Sequence, residues 1–571
     1  MSAMLRLTLA VVASLCGLSG AIAEDAVSAV LKMRVEELTA GQELRVQGEL
    51  IAARKLLSQL YRRREFRPAW LRPDRQAQLL ALVEASRDHG LDPSDYHADA
   101  LRKGRADGPD EARDLADRDL LFTDALVRLV YHLHFGKTNP RRLYADWSFS
   151  RPLGPIEPVQ ALEALLAGER LVEAVESHAP QLSLYRDLRQ ALAQHRTIEA
   201  SGGWGTVPAG GTLKPGMRDP RVQALRARLA ASVDLSWQPT GDPELFDEAL
   251  ETAVQRFQMR HRLEPDAAVG ARTVQALNVD VAWRVEQIRV NLERLRWFGQ
   301  DFKDDHLLVD VAGYSARLYL DAEVAWSSRV VVGRPYRRTP AFRATMQSIT
   351  LNPAWSVPPT ILREDVLPRI IKDRRYLDEN HMHVVDQSGR RISPSAIEWE
   401  RYRASPFPYR IVQDPGPANP LGQIRFNLPN PYGVCLHDTP AKELFERTQR
   451  AFSSGCIRLE KPHELAILLL DDTQHWNAET LRAEIATGET RTLPIKRRVP
   501  VMALYLTAEA EEDGTTYFRP NLYAQDAKVA AALATPFRAV KATSPRARGP
   551  QPGVALARAG SHRPSHAGRA A

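Results

Sequence analysis

The sequence predicts a multidomain α+β protein, and three observations carry that expectation. At 571 residues the chain is long enough for three or four domains. Through roughly the first half, apolar residues recur at i, i+3 and i+4, the spacing of helices with one buried face. From Asp305 onward the period falls to two, with turn residues between the apolar runs, the spacing of half-buried strands. The expected order is a helical domain, a small helical unit and a mostly β domain.

The ends differ from the body. Arg6, an apolar run over 7–18 and Ala21-Ile22-Ala23 have the layout of a secretory signal, expected to span 1–23 and to be cleaved after Ala23. The apolar run is shorter than the ~20 residues a spanning helix needs. From Ala527 to Ala571 there are eight basic residues and no Asp or Glu, and the stretch 537–571 reads as a disordered basic tail rich in Ala, Pro, Gly and Ser. The formal charge of +7 therefore misleads: without the tail and Arg6, the span 24–526 carries −2. That is too little positive charge for a nucleic-acid surface, and nothing resembles a nucleic-acid module. Membrane contact is expected only through an uncleaved signal or the tail.

The helical domain is expected over 24–200, with clear amphipathic spacing at 35–60, 77–87 and 120–133. His132 and His134 lie at i, i+2 on a helix and so face different ways, which favours structural histidines over metal ligands. A Gly- and Pro-rich linker follows at 201–217. The unit at 218–280 shows Val222, Leu225 and Leu229, then Phe246, Ala249, Ala253, Val254 and Phe257-Gln258, then Asp266, Gly270 and Thr273. This pattern resembles the three-helix peptidoglycan-binding domain, with Arg262 and Ala267 standing at two positions where that pattern has Gly. A connecting helix is expected over 281–300.

The mostly β domain is expected over 301–530, with strands at 307–311, 317–320, 328–332 and 347–351. A hairpin is expected between 499–506 and 515–518 around Asp513-Gly514. Two helices are expected inside it, at 441–452 and, entered through Pro462, to Leu470. The stretch 367–425 is long, polar and aromatic (Tyr376, Trp399, Tyr402, Phe407, Tyr409) and reads as an inserted lid or binding subdomain. His381 and His383 lie in it without an evident third metal ligand.

The chemistry rests on a thiol. Cys16 falls in the signal, which leaves Cys435 and Cys456, too few for a disulfide framework. Cys456 stands in Ser453-Ser454-Gly455-Cys456-Ile457-Arg458, nineteen residues after His437. An imidazole can take a thiol's proton and return it to a leaving amine, and small residues before the Cys let backbone N–H groups approach a developing oxyanion. Cys435, inside Val434-Cys435-Leu436, is expected to pack as a small buried hydrophobe. On an extended strand it would share a face with His437 and could lie near Cys456, where a disulfide, which needs Cα atoms within about 7 Å, would silence the thiol; the favoured expectation is a buried Cys435 too far away to react.

These residues resemble a family. His437-Asp438-Thr439-Pro440 followed by Ser453-Ser454-Gly455-Cys456-Ile457-Arg458-Leu459 is similar to the H … S-x-G-C-I/V-R signature of the L,D-transpeptidase (YkuD) catalytic domain. Val330-Val331-Val332-Gly333 with Thr339-Pro340, Asn352-Pro353-Ala354-Trp355 with Pro358-Pro359, and Asn419-Pro420-Leu421-Gly422 with Phe426 match flanking motifs. Asp438 and Ser454 replace the Gly and His of many relatives, and Asp438 matches the large periplasmic members, which also carry an N-terminal scaffold domain and a capping subdomain.

The resemblance implies that Cys456 attacks the carbonyl of the L-centre of the third stem residue. D-Ala leaves, and the amine of another stem resolves the thioester into a 3→3 cross-link. It implies His437 as base and then acid, the N–H groups of Gly455 and Cys456 as oxyanion donors with Ser454 nearby, and Arg458 either beneath the site or facing a substrate carboxylate. Ser453, Asn427, Trp355 and Tyr432 are the implied substrate contacts. No metal or cofactor is implied; the partners are peptidoglycan stem peptides and glycan, with other cell-wall synthesis proteins, in the periplasm. Carbapenems would acylate the same thiol. Water or a lipoprotein amine as acceptor keeps the same thioester, and a non-catalytic wall-binding scaffold is the rival of another class.

Overall fold

The computed structural model describes residues 24–103, 111–144, 147, 157–236, 241–299, 305–403 and 405–537. The expected signal, with Cys16, and the tail beyond 537 lie outside the described residues. Among the described residues no helix is long and apolar enough to cross a membrane. Helices and strands segregate along the chain as the multidomain α+β reading expects.

The N-terminal region is a helical bundle around Glu111–Phe135, a helix buried on nearly every side. Its inward polar groups are satisfied locally. The Asp119 carboxylate accepts from the N–H groups of Ala69 and Trp70, and Asp124 accepts from those of Ala52 and Ala53. His132 Nδ1 meets Tyr96 Oη at 2.9 Å, while His134 lies beside His178, so the two histidines are structural and on different faces. The helical spacing expected across 35–60 is interrupted. A hairpin pairs Arg45–Val46 with Glu49–Leu50. Its two central residues, Gln47 and Gly48, have φ of 50° and 84°, the left-handed pair that a two-residue hairpin turn requires.

The helix Val281–Phe298 is a beam between layers rather than an exposed connector. One side docks on the bundle: Glu293 accepts from Thr138 N–H and Oγ1 at 2.6 and 2.8 Å, and pairs with Arg296 at 2.7 Å. The Arg296 guanidinium continues to His89 O and Tyr185 Oη. The other side docks on the β domain: Asn291 exchanges hydrogen bonds with Thr507, and Arg294 pairs with Asp526 at 2.7 Å. The bundle, this helix and one face of the β domain share a single apolar core.

The small unit has helices Arg221–Ala231, Glu248–Arg260 and Ala271–Leu277 around their own core. Part of the expected linker belongs to it, because Val207 and Leu213 are buried there. Arg262 and Ala267 adopt φ of 55° and 57°, so both side chains occupy left-handed positions where Gly is unstrained.

The β domain is an eleven-stranded sheet. Its order is Arg491–Pro494, Ser348–Leu351, Ile424–Asn427, Leu436–His437, Ile457–Leu459, Glu323–Gly333, Ser315–Leu320, His306–Asp310, Pro500–Leu504 and Phe342–Thr345, with Ala451–Ser453 added beside Glu323–Gly333. Central strands are buried on both faces. Val501 and Ala503 enter the domain's own core while Met502 and Leu504 enter the shared one, the alternation of a pleated strand. The expected hairpin partner is corrected: Thr516–Phe518 pairs with Ala508–Ala510, because Pro500–Leu504 is taken on both edges by His306–Asp310 and Phe342–Thr345.

The helix expected at 441–452 is also corrected. Only Lys442–Glu446 forms a short 3-10 turn, and Ala451–Ser453 joins the sheet. The Arg450 guanidinium binds the carbonyls of Val330 and Tyr314, holding this stretch extended. The inserted region forms a four-stranded sheet, Arg391–Ile392, Met382–Val385, Arg410–Gln413 and Trp355–Ser356, with helical turns from Pro359 to Lys372 and a separate core running from Val357 to Ile411.

Two substitutions test these contacts in opposite directions. Glu293→Ala strands the buried Arg296 guanidinium and is expected to cost about 3–5 kcal/mol of unfolding free energy. Ala267→Gly relieves a left-handed side chain and is expected to gain about 0.5–1 kcal/mol. Denaturant titration of each variant measures both.

Candidate active site

The site is built where two strands run parallel. Leu436 pairs with Ile457 and His437 with Arg458, and the Ile457 N–H reaches Cys435 O at 2.9 Å. The apolar members, Leu436, Ile457 and Leu459, are buried in the domain core, which sets the register. Cys456 stands just before its strand, so the ladder sets it beside Cys435 and His437. One ligating atom from each of Cys435, His437 and Cys456 lies within 4.8 Å of the others.

The loop carrying Cys456 is fixed from several directions. The Arg334 N–H bonds Ser453 O, and Thr339 Oγ1 donates to Gly455 O at 2.8 Å while accepting from Gly333 N–H at 2.9 Å. Gly455 has φ of +117°, a conformation other residues reach only with strain. Tyr523 Oη donates to Gly333 O at 2.7 Å and supports the same corner. The "VVVG…TP" motif therefore braces the Cys456 loop, and Tyr523, which no local sequence signal singles out, completes the brace.

His437 is 4% exposed, and its Nδ1 lies 2.5 Å from Asp438 O. A carbonyl can only accept, so Nδ1 carries the hydrogen and Nε2 keeps its lone pair. The Asp438 carboxylate accepts from Gln423 N–H at 2.9 Å and Lys442 Nζ at 2.6 Å. Gly422 has φ of +61°, and a Cβ there would strike the Asp438 side chain, so "NPLG" shapes the cradle behind His437. Both cross-strand neighbours of His437 are arginines, Arg425 and Arg458. Burial first, and then Arg458, push the imidazole down to about 3, so it is neutral at ordinary pH.

Cys456 receives two donors from one neighbour. Cys435 Sγ lies 3.0 Å from Cys456 Sγ, and Cys435 N–H points to the same sulfur at 3.3 Å. The hydrogen bond from the Cys435 side chain is the largest influence drawing the Cys456 thiol below its usual range, with help from Arg425 and Arg458, while Cys435 itself is pushed up. The expectation that Cys435 is too distant to meet Cys456 is therefore overturned. It is buried, as expected, but against the second thiol. Arg458 is itself lowered by burial, and its Nε has no hydrogen-bond partner. Two thiols and an imidazole are also a donor set of the kind soft divalent ions take. His383 instead pairs with Asp414 in the inserted subdomain.

Other expected residues are placed differently. Ser453 is 2% exposed, and its hydroxyl donates to Cys456 O and accepts from Gly455 N–H, so it braces the loop instead of facing a substrate. That bond also occupies the Gly455 N–H expected to hold an oxyanion. Asn427 is tied within the sheet to the hydroxyls of Ser348 and Thr350. Trp355 packs against the core of the inserted subdomain, and Tyr432 packs half-buried with its ring 6.2 Å from Phe342. Ser454 is exposed and accepts from Arg337 Nη1 at 3.0 Å. The same guanidinium pairs with Glu364 and Asp365, which ties the inserted subdomain to the Cys456 loop. A cleft of about 930 Å³ opens beside Asp438, lined by Gln423, Lys442, His463 and Arg482.

Residues 304–507 match the family model of the L,D-transpeptidase catalytic domain (YkuD), residues 218–277 that of a "Putative peptidoglycan binding domain", and residues 55–192 that of the scaffold domain. A "Putative L,D-transpeptidase" of Haemophilus influenzae is 34% identical over 244 residues, covering 43% of this chain and 49% of the relative. The chain thus spans about half the length of that curated relative. An L,D-transpeptidase from Mycobacterium smegmatis is 12% identical (35% of this chain, 58% of that one, TM-score 0.17). One from Xylanimonas cellulosilytica is 14% identical (52% and 99%, TM-score 0.16). At those scores the likeness is too slight to bear on fold or function. Cys456, His437 and the motifs that brace them fall inside the 304–507 segment, which matches the YkuD-type L,D-transpeptidase catalytic domain, and the segments before it match the peptidoglycan-binding and scaffold domains.

Proposed function

We propose that this protein is a periplasmic L,D-transpeptidase that forms 3→3 peptidoglycan cross-links through a thioester on Cys456. The observation that carries the reading is the meeting of Cys456 with an imidazole whose Nδ1 is anchored on Asp438 O, all ligating atoms lying within 4.8 Å. His437 Nε2 takes the thiol proton as Cys456 Sγ attacks the carbonyl of the third stem residue. The same proton is returned to the amine of departing D-Ala. The amine of a second stem then loses a proton to His437 as it displaces the thiol.

Charge on the tetrahedral oxygen falls to the Cys456 N–H, since Gly455 N–H is engaged by Ser453. Arg425 and Arg458 favour the anionic sulfur. The matches to peptidoglycan-binding and scaffold domains support a polymeric wall substrate and, with it, a site of action outside the cytoplasm.

Incubation with a tetrapeptide-bearing disaccharide, followed by product analysis, tests the reaction. The expected product is a 3→3 dimer; trimmed tripeptide alone would make water the acceptor, and unchanged substrate would contradict the enzyme reading. Cys456→Ala is expected to abolish turnover and any carbapenem adduct seen by intact mass. His437→Ala is expected to lose roughly 10²–10⁴ in rate while folding normally.

The pH dependence follows from the thiolate being the reactive form. Alkylation of Cys456 by iodoacetamide is expected to rise with pH through a midpoint of about 7 and then level off. His437, neutral above about 3, adds no second inflection. A midpoint at the ordinary thiol value of about 8.5 would contradict the donation from Cys435.

A further inference from the structure

Beyond the hydrogen bond it gives Cys456, Cys435 brings a second sulfur to within 3.0 Å of the first. The pairs Leu436–Ile457 and His437–Arg458 fix a parallel register, and the Ile457 N–H donates to Cys435 O at 2.9 Å, which brings Cys435 alongside the residue before Ile457. Neighbouring strands lie about 4.8 Å apart, inside the Cα window of about 4.4–6.8 Å that a disulfide tolerates. The two sulfurs are 3.0 Å apart and both are free thiols. A bond at about 2.05 Å requires them to close by about 1 Å.

The pair is also asymmetric in the way thiol exchange needs. Cys456 is partly exposed and more acidic, so it meets the oxidant; Cys435 is 8% exposed and less acidic, so it resolves.

We propose that Cys435 and Cys456 form an oxidative modification site, a reversible cross-strand disulfide that masks the nucleophile. The consequence for activity rests on the transpeptidase reading above; the disulfide itself does not. The co-reactant is an external disulfide, RS–SR, either small or protein-borne. The Cys456 thiolate attacks one of its sulfurs, forming Cys456–SR and releasing RS⁻. The Cys435 sulfur, having lost its proton, then displaces the second RS⁻ and closes the Cys435–Cys456 bond. Two protein thiols are oxidised, one external disulfide is reduced to two thiols, and the two protons end on the released sulfurs.

The test equilibrates the full chain in glutathione buffers from fully reduced to fully oxidised. Oxidised wild type is expected to lose two hydrogens in intact mass and to yield, in non-reducing peptide maps, a peptide joining Cys435 to Cys456. Its transpeptidase activity is expected to fall to background and to return with dithiothreitol. Cys435→Ala is expected to stop at a glutathione adduct on Cys456. If oxidised wild type keeps Cys435 as a free thiol, whether Cys456 carries glutathione or nothing, the proposal is overturned. Peptide mapping needs no turnover, so an inactive reduced enzyme would count against the transpeptidase reading alone.

Discussion

Parallel pairing of Leu436–His437 with Ile457–Leu459 sets an imidazole beside a thiol that follows it by nineteen residues in sequence. A ladder this short gains little from its own hydrogen bonds, each worth about 1 kcal/mol net. The register is held by the burial of Leu436, Ile457 and Leu459 between neighbouring strands. A one-residue slip would turn those side chains outward and move both functional groups to the wrong face. Core packing and site geometry are therefore one constraint. The electrostatics follow from the same register, because it places Arg425 and Arg458 on either side of His437. Burial, with their charge, disfavours an imidazolium, and the hydrogen bond from Cys435, with their charge, favours a thiolate, so the resting imidazole stays neutral.

Farther from the site, polar groups do the joining. Val281–Phe298 binds the helical bundle through Glu293 and Arg296 and the β domain through Gln287, Asn291 and Arg294. These charges are buried and paired, so breaking one partner costs more than the pair contributes to stability. Such contacts fix orientation, which an apolar interface alone does less well. Arg337 has a similar role on a smaller scale, linking Glu364 and Asp365 to Ser454, two residues before Cys456. The inserted subdomain is thereby attached to the loop whose position matters most.

Much of this was legible in the sequence where the signal is local. Ser453 to Arg458 and His437 stand out because thiol chemistry needs small residues, a Cys and a base close together. The strand alternation at Leu307 to Asp310 and Val501 to Leu504 shows because each pleat faces a core. The helix expected at 441–452 failed because apolar spacing there is outweighed by Arg450 reaching two distant carbonyls. Val281–Phe298 looked like a connector because its arginines and Glu293 suggest solvent, and only their partners from other domains bury them. Ser453 looked like a substrate contact, but its hydroxyl satisfies the turn that Gly455 makes. The strand face that Cys435 shares with His437 raised a meeting with Cys456, but packing was favoured because the distance depends on the pairing of two strands, which local sequence does not set.

The central claim is that Cys456 carries the acyl group, with His437 moving the proton. The most direct measurement is rapid acid quenching of the enzyme with a tetrapeptide donor and no acceptor, followed by peptide-level mass spectrometry. The account predicts a tripeptide acyl group on Cys456, removable by hydroxylamine as a thioester is. An acyl group found on another residue, or none at all while D-Ala is released, would contradict it.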